Sequence, residues 1–341
     1  MNRTTPHLEF SRNRAGLRSR SATVMLPTLL ACSLLFATRY AGDFEELGAS
    51  SRAVGMGSAF VAAGADPAAL YYNPAVTAMM TGRNVMLMHA ENFGGIVRSD
   101  FGTVLFPLAN AGLGAGILHN GVSGIKLTRL LRPDLPIGVE FPDTNEQGEV
   151  VTKVNLPVVT ETVSAADWIG YFNYARRVGG NLHVGGNAKL IYRTTGVSTC
   201  LGMGLDIGAL LVIAQGFNVG LQVRNVTTSP LFWNTGTTEA MDPRATLGLS
   251  KTFALGRDHR LQMGIQAEGN LEGLSIEESA GAEYSYRDMV FGRLGLHRGN
   301  FTFGLGGAYK RFFLDYGYET AAYADSRELP PTQRLSGGIR F

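Results

Sequence analysis

The sequence carries none of the compact motifs that usually announce catalysis. It has no His-Glu-x-x-His run, no Cys-x-x-Cys pair and no Gly-x-Ser-x-Gly elbow. Those spacings would put a metal, a redox thiol or an acyl-transfer nucleophile in place. No catalytic residue, metal or cofactor is therefore expected, and the chain reads as a non-enzyme. Two glycine-rich runs, Gly112-Leu-Gly-Ala-Gly116 and Gly304-Leu-Gly-Gly307, fall inside alternating segments. A phosphate loop needs a helix after it, so these glycines read as small residues in a crowded interior. What does stand out is a set of charged and polar residues spaced along one side of alternating segments: His183, Lys189, Arg193, Asp206, Arg224, Glu268 and Glu283. Such residues would pair or hold water inside a barrel, and rings of them can set selectivity in a pore.

The elements that position them follow from period two. Leu182, Val184, Ala188, Leu190 and Tyr192 share one face, with His183, Asn187, Lys189 and Arg193 on the other. Leu201, Met203, Leu205, Ile207, Ala209, Leu211 and Ile213 repeat the pattern against Gly202, Gly204, Asp206 and Gly208. Phe217 to Arg224 and Leu261 to Glu268 do so again. About fourteen such strands are expected, near 84–92, 97–106, 111–120, 165–177, 180–193, 199–214, 216–225, 243–253, 259–269, 279–287, 289–297, 300–310, 312–320 and 332–341. Roughly ten residues each, and an even number, fits a transmembrane antiparallel β-barrel; strands of globular domains average nearer five or six.

The connections alternate in length. Pro107–Asn110, Val178–Gly179, Ala214–Gln215 and Ala254–Asp258 are short, whereas 121–164, 226–242, 270–278 and 321–331 are mostly long. Short periplasmic turns and long outer loops have this asymmetry. The apolar content of 121–164 makes it a candidate surface for ligand capture or partner docking. Aromatic residues such as Trp168, Tyr174, Tyr284 and Tyr316 lie in the strand segments, where barrels keep interfacial girdles.

Composition agrees. Of 341 residues, only 17% are charged and 44 are glycine, yet no run approaches the ~20 apolar residues of a membrane helix. Residues 1–41 read as a signal peptide: arginines at 12, 14, 18 and 20 precede a short apolar run, with cleavage near 37–41. Leu29-Leu30-Ala31-Cys32 only faintly resembles a lipoprotein box. Removing 6 of the 30 basic and 1 of the 28 acidic residues leaves 24 and 27, a net −3. No basic stripe remains, so nucleic acid is not an expected partner. Cys200 would be alone after cleavage and could form no internal disulfide.

Residues 42–83 do not alternate and read as a small, partly helical periplasmic-side plug ahead of a barrel over 84–341. Asp66 before Pro67 suggests a helix start, and Asn73-Pro74 a second turn or cap. Gly55, Gly57, Phe60, Asp66, Tyr72, Asn73 and Pro74 are the plug or ligand candidates. The run Gly55-Met56-Gly57-Ser58-Ala59-Phe60-Val61, then Asp66, then Ala69-Leu70-Tyr71-Tyr72-Asn73-Pro74-Ala75, resembles the N-terminal hatch of the FadL superfamily of long-chain fatty acid transporters. The PorV/PorQ-type branch is the nearer likeness, although Val76-Thr77 stands where that branch carries Gly-Leu. The final strand, with Leu335, Ile339 and the terminal Phe341 on one face, is similar to the sorting signal of outer-membrane barrels. The resemblance implies a bacterial outer-membrane location. It also implies contact with outer-membrane lipid and the barrel assembly machinery, and passive uptake or export of hydrophobic ligands. Its PorV side implies an alternative, docking of secreted protein cargo in type IX secretion.

Overall fold

The computed structural model describes residues 42–341 except 214–215, 227, 271–275, 321 and 325–326; the expected signal peptide lies outside the described residues. Fourteen strands close into one antiparallel barrel. In chain order they are β1 Asn84–Asn92, β2 Val97–Pro107, β3 Ala111–Leu130, β4 Pro157–Val178, β5 Leu182–Thr194, β6 Thr199–Ile213 and β7 Phe217–Arg224. The second half is β8 Arg244–Ala254, β9 His259–Asn270, β10 Ile276–Tyr286, β11 Val290–His297, β12 Asn300–Tyr309, β13 Phe312–Glu319 and β14 Thr332–Arg340. Each pairs with its sequence neighbours, and β14 closes the ring on β1 with Val85 opposite Ile339. Closure removes the sheet edges, as lipid demands of any backbone that cannot reach water.

Alternation decides which face looks out. On β6, Leu201, Met203, Leu205 and Ile207 are exposed while Asp206 is buried. The same switch recurs on β1, where Leu87 is exposed between buried Met86 and Met88. Apolar side chains thus cover the outside of the barrel, whereas its interior holds both polar and apolar side chains. Ile207, half-exposed near the middle of β6, gives a direct check. Ile207→Arg should destabilise the folded barrel by about 2–4 kcal/mol in urea titrations in lipid, because the cation would meet hydrocarbon near the midplane. A loss below about 1 kcal/mol would mean that this face does not contact lipid.

Phe341 donates its backbone N–H to the Arg83 carbonyl at 2.8 Å, so both ends of the barrel segment meet at one rim. The tight turns after β2, β4, β8, β10 and β12 lie on that rim, which we take as periplasmic. At the opposite rim the outer segment differs from the expectation. Instead of one long loop over 121–164, the β3–β4 ladder continues to Leu130 opposite Pro157, across bulges at Val122/Ile125 and Leu127/Thr128. The connection shrinks to 131–156 and holds its own hairpin, Glu140–Thr144 against Val150–Val154. Apolar residues in that stretch alternate well enough to keep pairing; their spacing predicts a loop because bulges break the period. In the hairpin, the hydrogen bond from the Lys153 ammonium (2.6 Å) holds the Asp143 carboxyl below the usual carboxylate range. The 226–242 connection likewise contains a hairpin, Ser229–Trp233 against Thr238–Met241. It pairs with the outer end of β6, Leu231 opposite Gly202, where β7 has already ended.

Inside the barrel, residues 42–83 wind around the wall as short helical turns at Asp43–Glu45, Ser51–Gly55, Ala69–Tyr72 and Pro74–Met79. Asp66 departs from the expected helix start. Its carboxylate accepts from the Ala68 N–H at 2.8 Å and caps a turn, while the helix itself begins at Ala69. Asn73 caps the last turn, accepting from the Ala75 N–H at 3.1 Å with Pro74 at the first position.

The plug lies on a belt of inward glycines. A Cβ on Gly185 would stand 2.6 Å from the Pro74 carbonyl oxygen, and one on Gly264 2.9 Å from that of Ala59. Gly112 and Gly220 meet the Thr77 and Val61 backbone in the same way, and Gly281, Gly295 and Gly317 meet that of Met56, Gly57 and Ser51; Gly208 makes room for the Asn73 and Pro74 side chains. Plug backbone therefore rests almost directly on wall backbone. Wall side chains then satisfy the plug: Gln266 accepts from the Phe60 and Val61 N–H groups, Gln222 donates to the Tyr71 carbonyl, and Ser336 bonds Ser51.

Candidate functional site

The lumen is unequal in its two halves. Between β1 and β6 it is filled: Met88, Phe101, Leu118, Ile169, Tyr171 and Ile191 pack with Tyr71 of the plug and Leu231 of the outer hairpin. Tyr71, Tyr171 and Phe101 meet edge to face, with centroids 6.3–6.5 Å apart. Dispersion and burial here weld plug to wall. Between β7 and β14, two cavities remain on opposite sides of the plug.

The outer cavity, about 390 Å³, is reached from the outer rim. Its floor is plug: Leu47, Gly48, Ser58, Val61, Tyr71 and Tyr72. Its walls are the outer ends of the strands, with Arg224, Glu268, Glu277, His297, Glu319 and Arg334. The inner cavity, about 360 Å³, opens toward the periplasmic rim between Arg52, Asp66, Gln262, Glu283, Asp315 and Arg340. Both volumes fall in the range of small-molecule pockets, roughly 300–1,000 Å³.

Arg52 of the plug lines the inner cavity. Its guanidinium grips Glu283 with both forks at 2.8 Å, and also donates to Asp66 and Gln262 at 3.2 Å. Glu283 is shared with Arg293 at 2.6 Å, and Arg293 reaches Asp315 at 2.7 Å. Above Arg52 lies the Phe60 ring, centroid 5.4 Å away, itself edge-on to Tyr72 at 5.2 Å. Tyr72 lines the outer cavity and Arg52 the inner one, so the Tyr72–Phe60–Arg52 stack joins a residue of each.

The structure sorts the residues picked from sequence. Tyr72 lines the outer cavity and Asp66 the inner one. Gly55 and Gly57 pack on the wall, Gly57 at φ 61° against β10 and β11, where a side chain has neither room nor a relaxed backbone. Phe60, Asn73 and Pro74 are likewise wall contacts, Asn73 donating to the Val61 and Ala209 carbonyls. Among the lumen charges, Arg224 and Glu268 pair in the outer cavity and Glu283 in the inner one. Arg193 pairs with Asp167 at 2.6 Å. Lys189 is fully buried, bonded to Glu45 of the plug at 2.7 Å and Asp206 at 2.9 Å. His183, also buried, lines neither cavity.

Several site residues were not singled out from sequence: Glu45, Glu46, Arg52, Arg244, Glu277, Arg293, Arg298, Asp315 and Arg334. Arg293 and Asp315 sit on inward positions of alternating strands, so the same period marks them. Glu45, Glu46 and Arg52 lie in the plug, which has no period to follow.

These features define a class: a plugged, closed fourteen-stranded barrel of the outer-membrane kind. The fold is that of the FadL-type transport barrels. No protein-family model matches the chain, and no curated protein matches it in sequence. Solved structures do match in fold. The toluene transporter TbuX of Ralstonia pickettii superposes with a TM-score of 0.57 at 14% identity, over 86% of this chain and 98% of that one. The toluene transporter TodX of P. putida gives 0.54 at 13%, over 86% and 98%. A FadL homologue of Pseudomonas aeruginosa gives 0.50 at 9%, again over 86% and 98%. At such identities the likeness carries the fold and not the ligand. These channels lend no support to type IX cargo docking or to the PorV/PorQ branch in particular.

Proposed function

We propose that the protein passes small hydrophobic molecules across the outer membrane by passive diffusion, without catalysis. The observation that carries this reading is the pair of ligand-sized cavities on either side of a plug inside a membrane barrel. The outer cavity would take the molecule from water onto the Tyr71, Tyr72 and Val61 floor. Transfer of apolar surface out of water drives that step. Passage then needs local movement of the Tyr72–Phe60–Arg52 stack rather than departure of the whole plug, because the apolar half of the lumen and the glycine belt hold the rest of it. The matched toluene transporters support the reading by architecture. Delivery through the barrel assembly machinery, guided by Leu335, Ile339 and Phe341, belongs to the same proposal.

Cells lacking their own hydrocarbon channels and expressing this chain should take up labelled toluene several-fold faster than cells with an inactive barrel of the same size. Uptake at the control rate would sink the proposal.

A further inference from the structure

Charge on the periplasmic rim is cancelled in one place and left open in another. The β8–β9 and β10–β11 turns pair across each other, Arg260 with Asp288, and Arg287 with Asp258 at 3.2 Å. Where the β12–β13 turn meets the seam between β14 and β1, the rim is basic instead. Arg340 donates its backbone N–H to the Arg311 carbonyl, and Phe341 donates to that of Arg83, both at 2.8 Å. Lys310, Arg311, Arg340 and Arg83 are thus gathered on adjoining segments. All four are exposed, and none has a carboxylate at ion-pair distance among the described residues. The next turn round the ring, Leu108-Ala109-Asn110, brings no acid. Arg340 lies over the Phe313 ring and lines the inner cavity. Arg83, Lys310 and Arg311 remain on the rim itself.

Beside these cations the lipid-facing surface is aromatic. Tyr309, Phe312 and Phe341 are each more than half exposed. Tyr309 stands opposite Phe312, and Phe312 opposite Ile339 of the last strand. Lys310 Nζ lies 5.2 Å from the centre of the Tyr309 ring. Outward rings at a barrel rim settle at the headgroup level of the bilayer, which puts the adjoining cations at the depth of lipid phosphates. Like charges gathered without a counter-charge repel one another until an anion joins them. A soluble anion would meet the cations and leave the rings unused. An acidic protein would have to displace lipid from those rings. A lipid with an anionic headgroup satisfies both, its phosphate on the cations and its acyl chains along the rings.

We propose that this seam is a binding site for an anionic glycerophospholipid, with Arg83, Lys310 and Arg311 holding its headgroup phosphate. A lipid held there spans the joint at which the last strand closes on the first. The site does not depend on passage through the lumen.

In the test, purified protein in detergent is incubated with equal amounts of phosphatidylglycerol and phosphatidylcholine and passed through gel filtration, and its retained lipid is counted by mass spectrometry. Wild type should retain phosphatidylglycerol at least about tenfold over phosphatidylcholine, since one surface cation contributes about fivefold. Lys310→Gln/Arg311→Gln should lose most of that preference. Arg83→Gln, on the other side of the seam, should reduce it by about fivefold at low salt. Lys126→Gln/Arg129→Gln removes two exposed cations from the outer end of β3 and should keep it. Equal retention of the two lipids by wild type overturns the site whether or not any variant folds. So does a preference kept by the folded Lys310→Gln/Arg311→Gln protein, judged by heat-modifiable gel mobility, or lost to the same extent by the outer-rim variant. Loss of the lipid to excess inorganic phosphate, beyond its loss to chloride of equal ionic strength, would make the seam a site for soluble anions and overturn the lipid assignment.

Discussion

Replacing Lys189 with methionine should weaken the barrel by about 3–5 kcal/mol, the loss typical when one partner of a buried ion cluster is removed. The Lys189 ammonium is fully buried and holds Glu45, Asp206 and Asn225 at 2.7–2.9 Å. Asp206 in turn accepts the Asn225 backbone N–H at 3.0 Å, just beyond the last β6–β7 ladder pair, Ile207 with Val223. The same cluster therefore ties the start of the plug to the wall and closes the seam where β7 stops short. Without the cation, both buried carboxylates lose their ion-pair partner. Urea titration in lipid should show the lower midpoint. Limited proteolysis should cut near residues 42–48 in the variant and not in the wild type. A triple change to Lys189→Met, Glu45→Gln and Asp206→Asn should recover part of the loss, since it leaves no orphaned charge. An unchanged midpoint for Lys189→Met would show that the cluster does not hold the fold.

The second large effect concerns the glycine belt. Gly281→Leu drives a side chain into the Met56 carbonyl, and Gly295→Leu into the Gly57 backbone. Backbone cannot step aside as a flexible side chain does, so the strain, at least about 1–3 kcal/mol of overpacking, falls on the plug's seat. The plug segment from Ser51 to Phe60 should lift off β10 to β13 and join the two cavities. In planar bilayers the variants should conduct ions steadily where the wild type is closed. Gly292→Leu is the control, because nothing lies within 4 Å of a Cβ there. Conductance of Gly281→Leu equal to that of Gly292→Leu would mean the plug is not seated by these glycines.

The barrel was largely legible beforehand because lipid outside and water inside force a strict period of two. Met203, Leu205 and Ile207 facing out against Asp206 facing in can be read from the letters alone. Bulges were not legible: the extension of β3 and β4 crosses two of them, and each resets the alternation that reading relies on. The lumen charges on strands were visible for the same reason as the strands. Their partners were not. Lys189 meets Glu45 across 144 positions, and Arg52 meets Glu283 across 231.

The candidate site is made of paired charges and cavity walls. By itself, the sequence determined the strand count, the face that meets lipid, and a non-periodic plug segment rich in small residues, because each depends on local alternation or composition. Only the tertiary structure decided where that plug lies, which inward glycines seat it, and which charges pair. Those are properties of residues far apart in the chain, brought together only when the closed ring fixes every strand's register around one interior.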